Sequence, residues 1–197
     1  MKQRRQYPAR AQWLVAVAML MAGMILGGGA QAATFNVSDA EAYGGWQAAT
    51  LSRSAEGQQE RHFRAVDTTS YGDATLSVNA TPGVCDMPWL EVRVALDDVP
   101  DEAGTADVVP AQLRVDERTL RPAVAEFFTE QDNDGFYVHF YLNDLVGLLD
   151  DMRAGRKLFL GFEQGEREPW YMTFSLDGAE GAVDEALARC WRASQPE

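Results

Sequence analysis

From Phe136 to Trp191 the apolar residues change period in the order strand, helix, strand, strand, helix, and this succession constrains the fold more than any other stretch. Phe136, Val138 and Phe140 alternate with Tyr137, His139 and Tyr141, which predicts a strand with aromatic residues on both faces. Asn143 or Asp144 can cap a helix, because a side-chain oxygen there accepts an otherwise orphan backbone N–H. Leu142, Leu145, Leu149 and Met152 recur at helical spacing, and Gly155 stands where a left-handed residue ends a helix. Gly147 inside that helix costs about 1 kcal/mol relative to Ala, which points either to close packing or to mere tolerance. Leu158 to Phe162 and Trp170 to Leu176 read as two strands flanking the polar turn Glu163-Gln164-Gly165-Glu166. Asp177, with Glu180 three residues on, resembles a capping box for a last helix with the stripe Val183, Leu187, Cys190 and Trp191.

The rest of the chain reads mainly as short strands. Thr34 to Gly45 is a lead-in segment; Trp46 to Arg53, Arg61 to Asp67 and Ala74 to Asn79 are strands. From Trp89 to Leu96 the alternation is that of a half-buried strand. Asp97 to Asp107, acidic and broken by Pro100 and Gly104, is expected as a long exposed loop. Val108 to Asp116 and Leu120 to Phe128 are two further strands, with Pro110 and Pro122 at starts, edges or bulges. Strands first and two helices in the C-terminal third give an α+β class: a mainly antiparallel β-sheet or sandwich with helices on one side or end.

Residues 1 to 32 have the form of a secretory signal. Lys2, Arg4, Arg5 and Arg10 precede an apolar run from Trp13 to Leu26, and Ala30-Gln31-Ala32 offers a small-residue cleavage site. The competing reading is an uncleaved anchor, which the apolar run is short to support, a span needing roughly 20 residues. Arg4-Arg5 suggests a twin-arginine signal, but Pro8 follows and the flanking pattern is missing. Cleavage leaves residues 33 to 197 as a single periplasmic or secreted domain without stable membrane insertion. Its 13 basic residues face 30 acidic ones, a net charge of −17. That charge argues against nucleic acid and anionic lipid and suits a basic partner. A single lysine, Lys157, among so many acids equally fits adaptation to high salt.

Two cysteines in an exported chain form an even count in an oxidising compartment, so Cys85 and Cys190 are expected to pair. Such a bond would close a loop of about 105 residues, worth roughly 4 to 5 kcal/mol in the chain-entropy account. A reactive thiol would need a base beside it, and no CxxC is present.

Motifs for chemistry are sparse. Glu130, Asp132, Asp134 and Gly135 match the start of a calcium loop, but Tyr141 stands at the twelfth position and the segment reads better as a hairpin turn. His62 and His139 are the only histidines, too few for a three-histidine zinc site, and His139 reads as a hydrogen-bonded structural residue. No GxSxG elbow or SxxK nominates a nucleophile. Asp97-Asp98 and Asp150-Asp151 read as solvated surface pairs. No catalytic residue, metal ligand or cofactor motif is nominated.

The C-terminal pattern resembles small exported proteins of the type VI secretion-associated envelope family and, more distantly, the invasion-associated locus B family. The residues that carry it are Leu113-Arg114-Val115-Asp116, Leu145 to Met152 before Gly155, Phe174-Ser175-Leu176-Asp177-Gly178, and Ala186 to Trp191. The resemblance implies a disulfide-linked, non-enzymatic periplasmic accessory protein with a protein partner in the envelope, and supplies no catalytic residues. The alternative is an envelope hydrolase with an unrecognised site.

Overall fold

Alternation of small or apolar residues with polar ones turns most of the chain into antiparallel strands. The computed structural model describes residues 35–55, 58–100, 102–131, 133–163 and 169–195. Residues 1 to 32, expected as a secretory signal, lie outside them. In chain order the elements are β1 (Asn36–Tyr43), β2 (Trp46–Ala55), β3 (Gln58–Asp67), β4 (Ala74–Ala80), β5 (Trp89–Ala95), β6 (Gly104–Val115), β7 (Arg121–Thr129), β8 (Gly135–Tyr141), α1 (Leu145–Ala154), β9 (Lys157–Phe162), β10 (Trp170–Ser175) and α2 (Ala179–Ala193).

The ten strands form one open sheet in the order β1-β2-β3-β4-β5-β8-β7-β6-β9-β10. The α+β class and the antiparallel sheet stand, and the sandwich alternative is corrected: the described strands form one sheet, not two packed ones. The reason is the pairing of β5 with β8, Leu90 opposite Phe140 and Val92 opposite Val138, which joins the N-terminal meander to the C-terminal strands without a break. The sheet covers its apolar face by bending. Trp46 Nε1 donates to Ser175 O at 2.8 Å, and Thr173 N donates to the Tyr71 hydroxyl at 2.9 Å, bringing β10 back toward β2 and the loop after β3. Trp46, Leu76, Val92, Val138, Leu113, Leu160 and Phe174 fill one core with both helices against it.

Other boundaries differ from expectation. The lead-in segment is a strand: β1 pairs with β2 although nearly all its residues are exposed, because backbone hydrogen bonding needs no apolar side chain. β6 begins at Gly104, so the acidic loop is shorter than its composition suggested. Asp144 caps α1, accepting from Gly147 N at 3.0 Å. A side chain at Gly147 would run into that carboxylate, so the glycine serves the cap. Gly155 is extended at φ −104°, not left-handed. Asp177 does not cap α2; Gly178 holds that place at φ 90°, with no side-chain cap.

Candidate functional site

Cys85 and Cys190 are joined, with Cα atoms 5.9 Å apart. The bond fixes the loop between β4 and β5 to the last turn of α2. Ser194 strengthens the junction, accepting from Gly83 N at 2.8 Å and donating to Cys190 O at 2.8 Å. Thr81, which opens that loop, reaches to the opposite face of the sheet and meets His62 there.

This outer face is where the charged side chains of the central strands collect. Register decides it. Glu91 on β5 stands opposite His139 on β8 and Ser77 on β4, while Arg64 on β3 stands opposite Asn79 on β4. All of these project away from the core because each is offset by one residue from the apolar positions. Arg64, Asn79, Glu91 and His139 floor a cleft of about 810 Å³. Phe35, Trp89, Phe128 and Tyr137 line it, and Val99 and the turn at Glu130, Asn133 and Asp134 close one end.

The floor is a set of ion pairs. Arg64 Nη2 donates to Glu91 Oε1 at 2.9 Å and its Nε to Asn79 Oδ1 at 2.6 Å; Asn79 in turn donates to Ser77 Oγ. His139 Nε2 donates to Glu91 Oε2 at 2.9 Å. Burial alone would raise the Glu91 carboxyl, but the His139 hydrogen bond and the Arg64 charge hold it below the usual range. In a second group, Glu60 accepts from Arg53 and, at 3.0 Å, from His62 Nε2. The Arg53 hydrogen bond, followed by that of His62, holds Glu60 below the usual range. The other ring nitrogen of His62, Nδ1, lies 2.7 Å from the Thr81 hydroxyl. Arg93 pairs with Asp134 at the closed end, and burial raises the Tyr137 phenol, whose hydroxyl donates to Asn133 Oδ1 at 2.9 Å. Aromatic edges pack the rings in place: Phe128 lies 4.6 Å from His139, and Trp89 5.6 Å from His62. Trp89 Nε1 is buried without a hydrogen-bond partner among the described residues.

Both histidines thus enter one cleft, 77 residues apart in sequence. Sequence reasoning missed the cleft because Glu60, Arg64, Glu91 and His139 share no local motif. The one signal for it was the polar outer phase of strands whose inner phase is apolar. The calcium-loop segment walls the cleft as a turn: Asn133 Oδ1 accepts from Gly135 N at 2.7 Å, and Asn133 donates to Glu130. Asp132 lies outside the described residues. Among those described, no group of three or more His, Cys, Asp or Glu side chains is placed to hold a metal ion. Asp150 and Asp151 point apart, to Arg153 and to Arg118 and Arg121 respectively.

No protein-family model and no curated protein matches the chain. Among solved structures it is similar to invasion associated protein B from Bartonella henselae, with 18% identity over 77% of this chain and 98% of that one, at a TM-score of 0.46. That protein carries the name of the more distant of the two families resembled; the type VI secretion resemblance finds no support in these comparisons. Among the described residues no helix is long and apolar enough to cross a membrane.

Proposed function

We propose that this is a non-enzymatic accessory protein of the periplasm or the secreted fraction that binds a protein partner through the outer-face cleft. One observation carries the reading. Both oxygens of Glu60 and both of Glu91 already hold donors, Arg53 and His62 for the first, Arg64 and His139 for the second. Held below the usual carboxylate range by these donors, both groups are weak general bases at neutral pH. Carboxylates occupied in this way instead hold a rigid, polar, aromatic-walled surface, the kind of preorganised site that limits the entropy lost on binding. A station beside a secretion apparatus is the narrower form of the proposal, and the neighbouring genes test it.

The test is a photo-reactive phenylalanine analogue at Phe128, inside the cleft, compared with one at Glu117 on an exposed turn. The expected result is one envelope protein cross-linked from position 128 and not from 117. Equal labelling from both positions, or none from 128, removes the reading.

A hydrolase is the second reading, and Thr81, His62 and Glu60 favour it, since a hydroxyl, an imidazole and a carboxylate stand in hydrogen-bonded series. Against it, Thr81 is not among the residues lining the cleft. Ester or amide hydrolysis by the purified protein that is abolished in Thr81→Ala and in His62→Gln, both still folded, would establish it over the first.

A further inference from the structure

A second surface, sharing no residue with the cleft, lies between the disulfide-tethered loop and the start of α1. Met87 and Pro88 form one wall, Leu145 and Val146 the other, around a groove of about 460 Å³. Met87 and Val146 are each 65% exposed, a large apolar area to leave in water. Neither wall is loose. Met87 N donates to Val84 O at 2.9 Å, and Val84 N to Thr81 O at 3.1 Å, within the loop that Cys85 anchors to α2. The α1 wall is held by the Asp144 cap and by Arg121, whose Nε donates to Asp144 Oδ2 at 3.1 Å. Two exposed apolar side chains on a fixed backbone form a preorganised clamp for an apolar anchor.

Charge selects the occupant. Asp86 and Asp144 rim the groove, and Arg121, the cation touching Asp144, is shared with Asp151. Residues 33 to 197 carry −17 in total. A second copy would bring the same charge against this one, and an anionic lipid surface would be repelled likewise. We infer that the groove docks a basic segment of another protein, seating one aliphatic side chain between Met87 and Val146 while lysines or arginines face Asp86 and Asp144. A Met at the contact suits a partner whose anchor varies in shape.

Three synthetic peptides of equal length test this by calorimetry at physiological salt: an amphipathic lysine–leucine helix, its glutamate–leucine counterpart, and a lysine–serine peptide with the same charge and no anchor. The lysine–leucine peptide is expected to bind, and the other two to bind at least about tenfold more weakly. Met87→Ser and Val146→Ser keep the protein charge and should each weaken binding by about tenfold, a loss in the range of a buried anchor. Val108→Ser, an exposed apolar position (56%) outside the groove, should leave it unchanged. Equal binding of the lysine–serine peptide, or no loss in Met87→Ser and Val146→Ser, would reduce the interaction to bulk charge and overturn the proposal. A dimer in sedimentation that Val146→Ser dissociates would assign the groove to a second copy instead. Both substituted side chains are exposed, and circular dichroism melts confirm folding before each titration.

Discussion

Glu91 is 5% exposed and sits between Arg64 and His139, so its removal strands two donors at once. Glu91→Ala is expected to cost about 3 to 5 kcal/mol in urea unfolding at neutral pH, the range for breaking a buried pair from one side. A loss below about 1 kcal/mol would mean that water replaces the carboxylate freely. The pH dependence has a definite sign. Glu60 and Glu91 titrate lower in the folded chain than in the unfolded one. Their contribution is present in full above the unfolded carboxyl value of about 4.3 and is lost as pH falls through the depressed folded values. The urea midpoint should therefore fall as pH drops below about 4, and Glu91→Gln should flatten that limb. At Gly178 the backbone has φ 90°, and an added Cβ would strike the Tyr43 carbonyl. Gly178→Ala should cost about 1 to 3 kcal/mol or more from the conformation alone. An unchanged thermal midpoint would show that the turn between β1 and β2 yields.

At the scale of elements, α2 is held by a small-residue face and by the disulfide. Ala179, Ala182, Val183, Ala186 and Cys190 are buried, whereas Trp191, expected on the apolar stripe, is 52% exposed. Alanines let the helix axis approach the sheet, and a Trp on that face would push it away. Such a face buries little area per residue, so much of the helix's attachment falls to the covalent bond. Cys85→Ser with Cys190→Ser is expected to lower stability by roughly 4 to 5 kcal/mol, the chain-entropy value for a closed loop this long. Guanidinium unfolding of the oxidised protein against the double variant measures it, and a difference under about 1 kcal/mol would show the entropy account does not hold here.

For the whole molecule the dominant physical fact is charge. Arg53, Arg64, Arg93, Arg118, Arg121, Arg153, Arg189 and Arg192 each meet a carboxylate. Among the described residues, most acidic side chains remain without a basic partner within salt-bridge distance. Self-repulsion on that scale is relieved by screening over a Debye length of about 8 Å at physiological salt, and less at molar salt. The thermal midpoint should rise from low salt to molar potassium chloride; a flat or falling midpoint would contradict the high-salt reading. Export with removal of residues 1 to 32 is checked by the intact mass of the protein recovered from the envelope, and a mass that retains them would refute it.

Period-two alternation along Trp89 to Leu96 and Phe136 to Tyr141, the helix over Leu145 to Met152 and the capping Asp144 were legible in sequence, because each depends on neighbours within a few residues. The same holds for the strands from Val108 to Phe128, misplaced only at their ends. The lead-in strand β1 was illegible because its residues are polar and it exists by hydrogen bonding to β2. One sheet rather than a sandwich was decided by which strand lies beside β5, a choice among non-local partners that no local period encodes. The cleft was decided in the same way. Glu60, His62, Arg64, Glu91 and His139 each declare only that they avoid the core; that they meet one another follows from the register of four strands. Sequence by itself determined the local periods, the charge and the even cysteine count, whereas tertiary structure alone decided the partners, because pairing free energy is summed over contacts between residues far apart in the chain.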